Sequence, residues 1–176
     1  MTGDAKPDMA SLTPCSMNFI SHASVNPPDI VRDLLRRMND QGIKPELEVF
    51  DLGMMSLIPN LRAEGLVRDR AYINILLGNL GTAPADLGAM SLLVEQAEKD
   101  AVIAVSGIGR AALPVHMTAL AAGLHARFGL EDVLYLDAEK TTLATNFSLL
   151  ERLTDLARLL NRPLASAAEV RKMLGL

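Results

Sequence analysis

The stretch PELEVFDLG at 45–53 decides how the chain is built. Its residues alternate: Glu46, Glu48 and Phe50 fall on one side and Leu47, Val49 and Asp51 on the other, the period of a strand. Directly before it, between Pro28 and Gln41, IVRDLLRRM sets apolar residues at helical spacing, and Gly42 supplies the stop. A strand follows a helix, and the pair then repeats along the chain.

The spacing predicts a helix over 54–65, a strand in AYINILLG at 71–78, a helix over 88–99 and a strand in AVIAVSG at 101–107. A helix over 111–123, a strand in HARFGL at 125–130 and two closing helices over 144–161 and 165–174 complete the pattern. MASL at 9–12, bounded by Pro7 and Pro14, reads as a first strand. This alternation predicts an α/β protein with a parallel sheet of about five βα units. A closed (β/α)8 barrel takes about 250 residues, so the sheet is either open and doubly wound or a partial barrel. At 176 residues the chain suits a single domain, 1–176.

Composition excludes several classes of function. Hydrophobic residues make up 49% of the chain and aromatics only 3%, with no Trp, so stacking platforms for single-stranded nucleic acid are not expected. The net charge of -4 and the absence of a basic run argue against nucleic acid and against an acidic membrane surface. The opening MTGDAKPDMA carries Asp and Pro where a secretory signal is apolar, and no window reaches 18 apolar residues, which predicts a soluble, cytoplasmic protein. Cys15 is the only cysteine, and no Cys or His pair has metal-ligand spacing.

In parallel α/β proteins the chemistry gathers at the carboxyl ends of several strands. There the sequence offers Arg127, Glu131 and Asp132 around RFGLEDV at 127–133. Arg127 and Glu131 share parity if the strand continues that far, and Asp132 then falls on the rim. An arginine beside two carboxylates is either a structural ion-pair cluster or a place where a carboxylate binds a metal or takes a proton. Glu46 and Glu48 need a solvated, paired or functional face. Ser11 and Thr13 share a face of the first strand, where hydroxyls either contact a ligand or cap loops. In SGIGRAALP at 106–114, Gly107, Gly109 and Arg110 either hold a phosphate on backbone amides or simply make the turn. His22, His116 and His125 receive no role from spacing.

Six strings in order, PDMASL, TPCSMNF, GIKPELEVFDLGM, GIGR, HARFGLED and NRPLASAAEVRKMLGL, resemble the β-keto acid cleavage enzymes, the family that includes 3-keto-5-aminohexanoate cleavage enzyme. The resemblance covers essentially the whole chain and begins at the family's fourth barrel strand. It implies a partial (β/α)8 barrel of strands 4 to 8, without the first three βα units. It also implies a zinc-dependent exchange between a β-keto acid and acetyl-CoA, giving acetoacetate and a new acyl-CoA.

By the same resemblance, Glu131 matches the carboxylate zinc ligand, and Arg127 and Asp132 match the catalytic acid-base pair. Glu48 matches a substrate-binding glutamate, and Ser11 and Thr13 fall among the polar substrate contacts. Zinc would polarise the keto oxygen, Asp132 would take a proton so that a nucleophile attacks the thioester, and Arg127 would balance charge. The family's His-x-His zinc ligands have no counterpart in this sequence, and Val133, Ala111 and Ala112 replace an Asn and bulkier residues of the pattern. The implied assembly is a homo-oligomer or a complex with a complementing N-terminal fragment. The alternative is an inactive truncated barrel serving as an assembly or acyl-CoA binding module.

Overall fold

The computed structural model describes residues 6–176, so the first five residues of the MTGDAKPDMA opening lie outside it. In chain order the elements are β1 (Met9–Leu12), a small hairpin of β2 (Met17–Asn18) and β3 (Ala23–Ser24), α1 (Pro28–Asp40), β4 (Lys44–Val49) and α2 (Leu52–Ala63). There follow β5 (Tyr72–Leu77), α3 (Leu87–Gln96), β6 (Val102–Gly107), α4 (Ala112–Ala121), β7 (His125–Ala126), α5 (Asn146–Leu159) and α6 (Ala167–Leu174). No helix among the described residues is long and apolar enough to cross a membrane.

The main sheet runs β1-β4-β5-β6-β7, with every pair parallel. Each strand lies beside its predecessor in the βα alternation and the order never reverses. A doubly wound sheet requires such a reversal, so that alternative fails. Right-handed crossovers between neighbours in this order set the connecting helices α1 to α4 on one face of the sheet.

The two faces accordingly differ in chemistry. Leu47 lies beside Ile73, Val49 beside Ile75, and these in turn beside Ile103 and Val105. This row packs under Val31 and Leu35 of α1, Met54, Met55 and Ile58 of α2, Leu93 of α3, and Val115 and Ala119 of α4. Each such aliphatic side chain contributes about 1.5–3 kcal/mol on burial. On the opposite face, Ser11 lies beside Glu46, Glu46 beside Tyr72, Glu48 beside Asn74, and Leu76 beside Ser106. Helices cover the apolar face, and polar side chains gather on the other.

Two strands are shorter than their sequences predict. The strand expected over 45–53 stops at Val49, because the Asp51 carboxylate accepts the Met54 N–H at 2.8 Å and caps α2. The strand expected over 125–130 ends at Ala126. The Gly129 carbonyl accepts from the N–H groups of Asp132 at 3.1 Å and Val133 at 3.2 Å, and this turn folds 130–132 back toward the sheet.

Candidate functional site at the carboxyl ends of the strands

Four segments converge around one guanidinium. Arg127, the first residue past β7, donates from Nη1 to Asp132 Oδ2 at 2.5 Å and from Nη2 to Glu131 Oε1. Glu48 Oε1, from β4, stands 4.0 Å from the same Nη2. Thr13, just past β1, donates from Oγ1 to the other Glu48 oxygen at 3.0 Å. Ser106 of β6 donates from Oγ to Asp132 Oδ2 at 3.0 Å. Fixed donors on a carboxylate in a low-dielectric setting are stronger than they would be in water.

The order of burial reverses the expectation from parity. Asp132 is the buried acid, with its side chain 7% exposed, while that of Glu131 is 65% exposed and lies at the mouth. The cause is the turn at Gly129: once the strand ends, parity no longer decides direction, and the turn sends Asp132 inward to Ser106. The turn is tied down from the opposite side by the Gly109 N–H, which donates to the Asp132 carbonyl at 2.7 Å.

Ser11 is not drawn into this cluster; it is exposed beside Glu46. Gly107 and Gly109 have structural reasons to be glycine. A Cβ on Gly107 would lie 2.7 Å from the carbonyl oxygen of Ala111, and Gly109 holds a φ of 59°. Arg110 is exposed and makes no ion pair among the described residues. It shares a cleft with Tyr135 and Lys140.

A second polar group lies deeper on the same face. Asn74 of β5, fully buried, donates from Nδ2 to Glu46 Oε1 at 3.0 Å, and its Oδ1 has no hydrogen-bond partner among the described residues. Burial, and then the charge of Glu48, push the Glu46 carboxyl above its usual range. Burial and the Glu46 charge push the Tyr72 phenol up to about 12. His116 of α4 is 3% exposed, and burial holds its imidazole below the usual range. His125 is lowered by burial and by Arg162.

Sequence reasoning assigned nothing to Ser106, Asn74, Tyr72 or His116. Asn74 left a legible signal, a lone amide inside the apolar run YINILL. Ser106 and His116 gain their meaning only from which strand neighbours which, a property that local spacing does not carry.

Zinc takes three or more protein ligands. Among the described residues no group of three or more His, Cys, Asp and Glu side chains is placed to hold a metal, and Glu131 is engaged by Arg127. The residues present do not by themselves fit a zinc site.

Comparison with known proteins gives the chain its relatives. It is 36% identical over 175 residues to the 3-oxoadipate:acetyl-CoA acetyltransferase of Cupriavidus necator, covering 97% of this chain and 61% of that protein. It is 32% identical to the 3-dehydrocarnitine:acetyl-CoA trimethylamine transferase of Rhizobium meliloti, covering 97% and 57%. It is 30% identical to the 3-keto-5-aminohexanoate cleavage enzyme of Acetoanaerobium sticklandii, covering 97% and 63%. The chain thus spans about three-fifths of the length of the curated relatives it matches. The fold is shared with ObcA, solved as a binary complex with oxaloacetate, at a TM-score of 0.73 and 19% identity over 96% of this chain and 45% of that one. A sequence profile for the beta-keto acid cleavage enzymes matches residues 1–176. With its parallel sheet, its polar strand ends and this match in agreement, the chain belongs to the β-keto acid cleavage enzyme family.

Proposed function

We propose that the chain forms strands 4 to 8 of a (β/α)8 barrel and carries the acid-base part of a β-keto acid cleavage site. The reaction is acyl exchange between a β-keto acid and acetyl-CoA, giving acetoacetate and a new acyl-CoA. The relatives whose names pair a keto compound with acetyl-CoA in a transferase reaction support the reaction class. The observation that carries the assignment to particular residues is the bonding of Asp132. Its Oδ2 accepts from both Arg127 and Ser106, and among the described residues no side chain donates to Oδ1, the oxygen that would meet a substrate proton.

Asp132 is the base in this reading. It takes a proton from the carbon between the keto and carboxylate groups, and that carbanion attacks the acetyl-CoA carbonyl carbon and expels CoA thiolate. The thiolate then adds to the original keto carbon, breaking its bond to the acetylated carbon. That carbon regains the proton from Asp132 and leaves as acetoacetate, while the remainder leaves as acyl-CoA. Arg127 offsets the negative charge that the keto acid brings, and its bonds to Asp132 and Glu131 keep it aimed at the strand ends. Glu48, held by Thr13, contacts the substrate beside it. Ser11, beside Glu46 and below Glu48, is the substrate contact farthest from the mouth. Gly107, Gly109 and Arg110 lead to the CoA end, where Arg110 and Lys140 are the cations of one cleft. Glu131 would be the one ligand this chain offers to zinc, which takes three or more, so the chemistry assigned to the chain's own residues is the acid-base work of Asp132 and Arg127. The site works in the cytoplasm, in a homo-oligomer or with a complementing polypeptide.

The test is to supply β-keto acids and acetyl-CoA and to follow acetoacetate. Asp132→Asn is expected to lower kcat/KM by about 10²–10⁴-fold with thermal stability retained. Undiminished turnover in that variant would remove Asp132 from the chemistry. No turnover by the wild-type chain, alone or complemented, would favour a binding or assembly module.

A further inference from the structure

We propose that His116 is a positioning residue: from α4, outside the sheet, it fixes the main chain of Arg127 and so aims the guanidinium that meets Asp132. The inference rests on the proposed roles of Arg127 and Asp132 and adds a residue that the motif strings leave out.

The ring is buried in a helix, ALPVHMTALA, whose other residues are apolar except Thr118, beside Val115 and Ala119. An imidazole in such a place persists only with a partner, and its partner is the Arg127 carbonyl oxygen, 2.9 Å from Nε2. A carbonyl can only accept, so Nε2 carries the hydrogen. The charged groups acting on the ring are Asp132, beyond Arg127, and Arg152 from α5. Protonation of Nδ1 would leave the Nε2–H donor in place, so the contact is a fixture rather than a pH switch.

What the contact achieves follows from where β7 stops. The Arg127 N–H donates to the Val105 carbonyl at 3.1 Å, tying the residue to β6, and its carbonyl accepts from α4. Both main-chain polar groups of Arg127 are therefore anchored, to a strand on one side and a helix on the other. From that fixed Cα the guanidinium reaches Asp132, Glu131 and Glu48. Without the helix anchor, the backbone between β7 and the Gly129 turn would be held only by the β6 contact.

The experiment compares wild type, His116→Leu, which keeps apolar bulk without a donor, and His116→Gln, which restores an N–H. Amide exchange over 127–133 is expected to rise about fivefold in His116→Leu, while the amides of α4 and β6 change less than about twofold. For acyl exchange, kcat is expected to fall about tenfold with KM for the keto acid within about twofold, and His116→Gln should recover most of both losses. A uniform rise across α4 and the loop, or no change at all, would overturn the proposal. Local loosening in a chain with no acyl exchange would uphold the hold of His116 on Arg127 and count against the proposed reaction instead. Should the leucine variant not fold, the 15N spectrum of the wild-type imidazole decides: a proton on Nε2 upholds the assignment, and a proton on Nδ1 with bare Nε2 overturns it.

Discussion

Glu46 and Glu48 lie two residues apart on one face of β4, yet they meet different fates. Glu48 has a hydroxyl donor in Thr13 and a guanidinium 4.0 Å away, whereas Glu46 has one amide donor, Asn74, and a charged neighbour of its own sign. Burial and that neighbour raise the Glu46 carboxyl above its ordinary value of 4.5. A pKa raised by folding gives stability that is fully present below the unfolded value and is lost as pH rises through the folded one. The wild type should therefore lose stability, relative to Glu46→Gln, as pH climbs from 4.5 toward neutral. At pH 7 the variant should be the more stable, by on the order of 1 kcal/mol, and at pH 4 the two should converge. Paired thermal melts at the two pH values check this, and a variant less stable at pH 7 would show that the Glu46 charge is used. The sequence announced both glutamates by their alternation, but not which of them had partners, since Thr13 and Arg127 follow other strands.

Among the elements, the junction of β6 and α4 is the tightest. The Cβ of an alanine at 107 would lie 2.7 Å from both the Ala111 carbonyl oxygen and the Ala112 Cα, and main-chain atoms cannot swing aside as a side chain can. Gly107→Ala should cost about 1–3 kcal/mol or more, read as a lower denaturant midpoint at unchanged m-value. Because Gly109 in the same turn donates to the Asp132 carbonyl, the substitution should also disturb the site, whereas a purely local defect would leave acyl exchange intact. At this scale the sequence was largely transparent. Period 2 marked β4, helical spacing marked α1, short apolar runs marked β5 and β6, and Asp51 explains why β4 ends early. Two features were opaque for physical reasons. The β2–β3 hairpin has two residues per strand, too few for a period to register. The end of β7 is set by a turn at Gly129 and a histidine from α4, neither of which alters the apolar pattern of HARFGL.

The whole molecule is a singly wound sheet with helices on one face, and in that sheet β1 and β7 each have a neighbour on one side only. β7 is two residues long, a short edge of the kind that discourages pairing, but β1 offers four residues of edge. Large apolar side chains add to this: Ile20 is 84% exposed, Leu159 79% and Val25 71%. Open edges and exposed aliphatics favour contact with another chain, so light scattering should give a mass above the 18.9 kDa of one chain. A monodisperse species of that single-chain mass would contradict the partial-barrel reading. Native mass spectrometry with added zinc joins this to the metal question. One exposed carboxylate engaged by an arginine is a poor zinc site, so the associated chain by itself is expected to take up no stoichiometric zinc. Uptake should begin when a polypeptide supplying histidine ligands is added, and Glu131→Ala should then abolish it without unfolding the chain. Stoichiometric zinc in the chain alone would mean that subunits pool carboxylates and imidazoles across their contact, moving the metal from the mouth of one sheet to the interface between two.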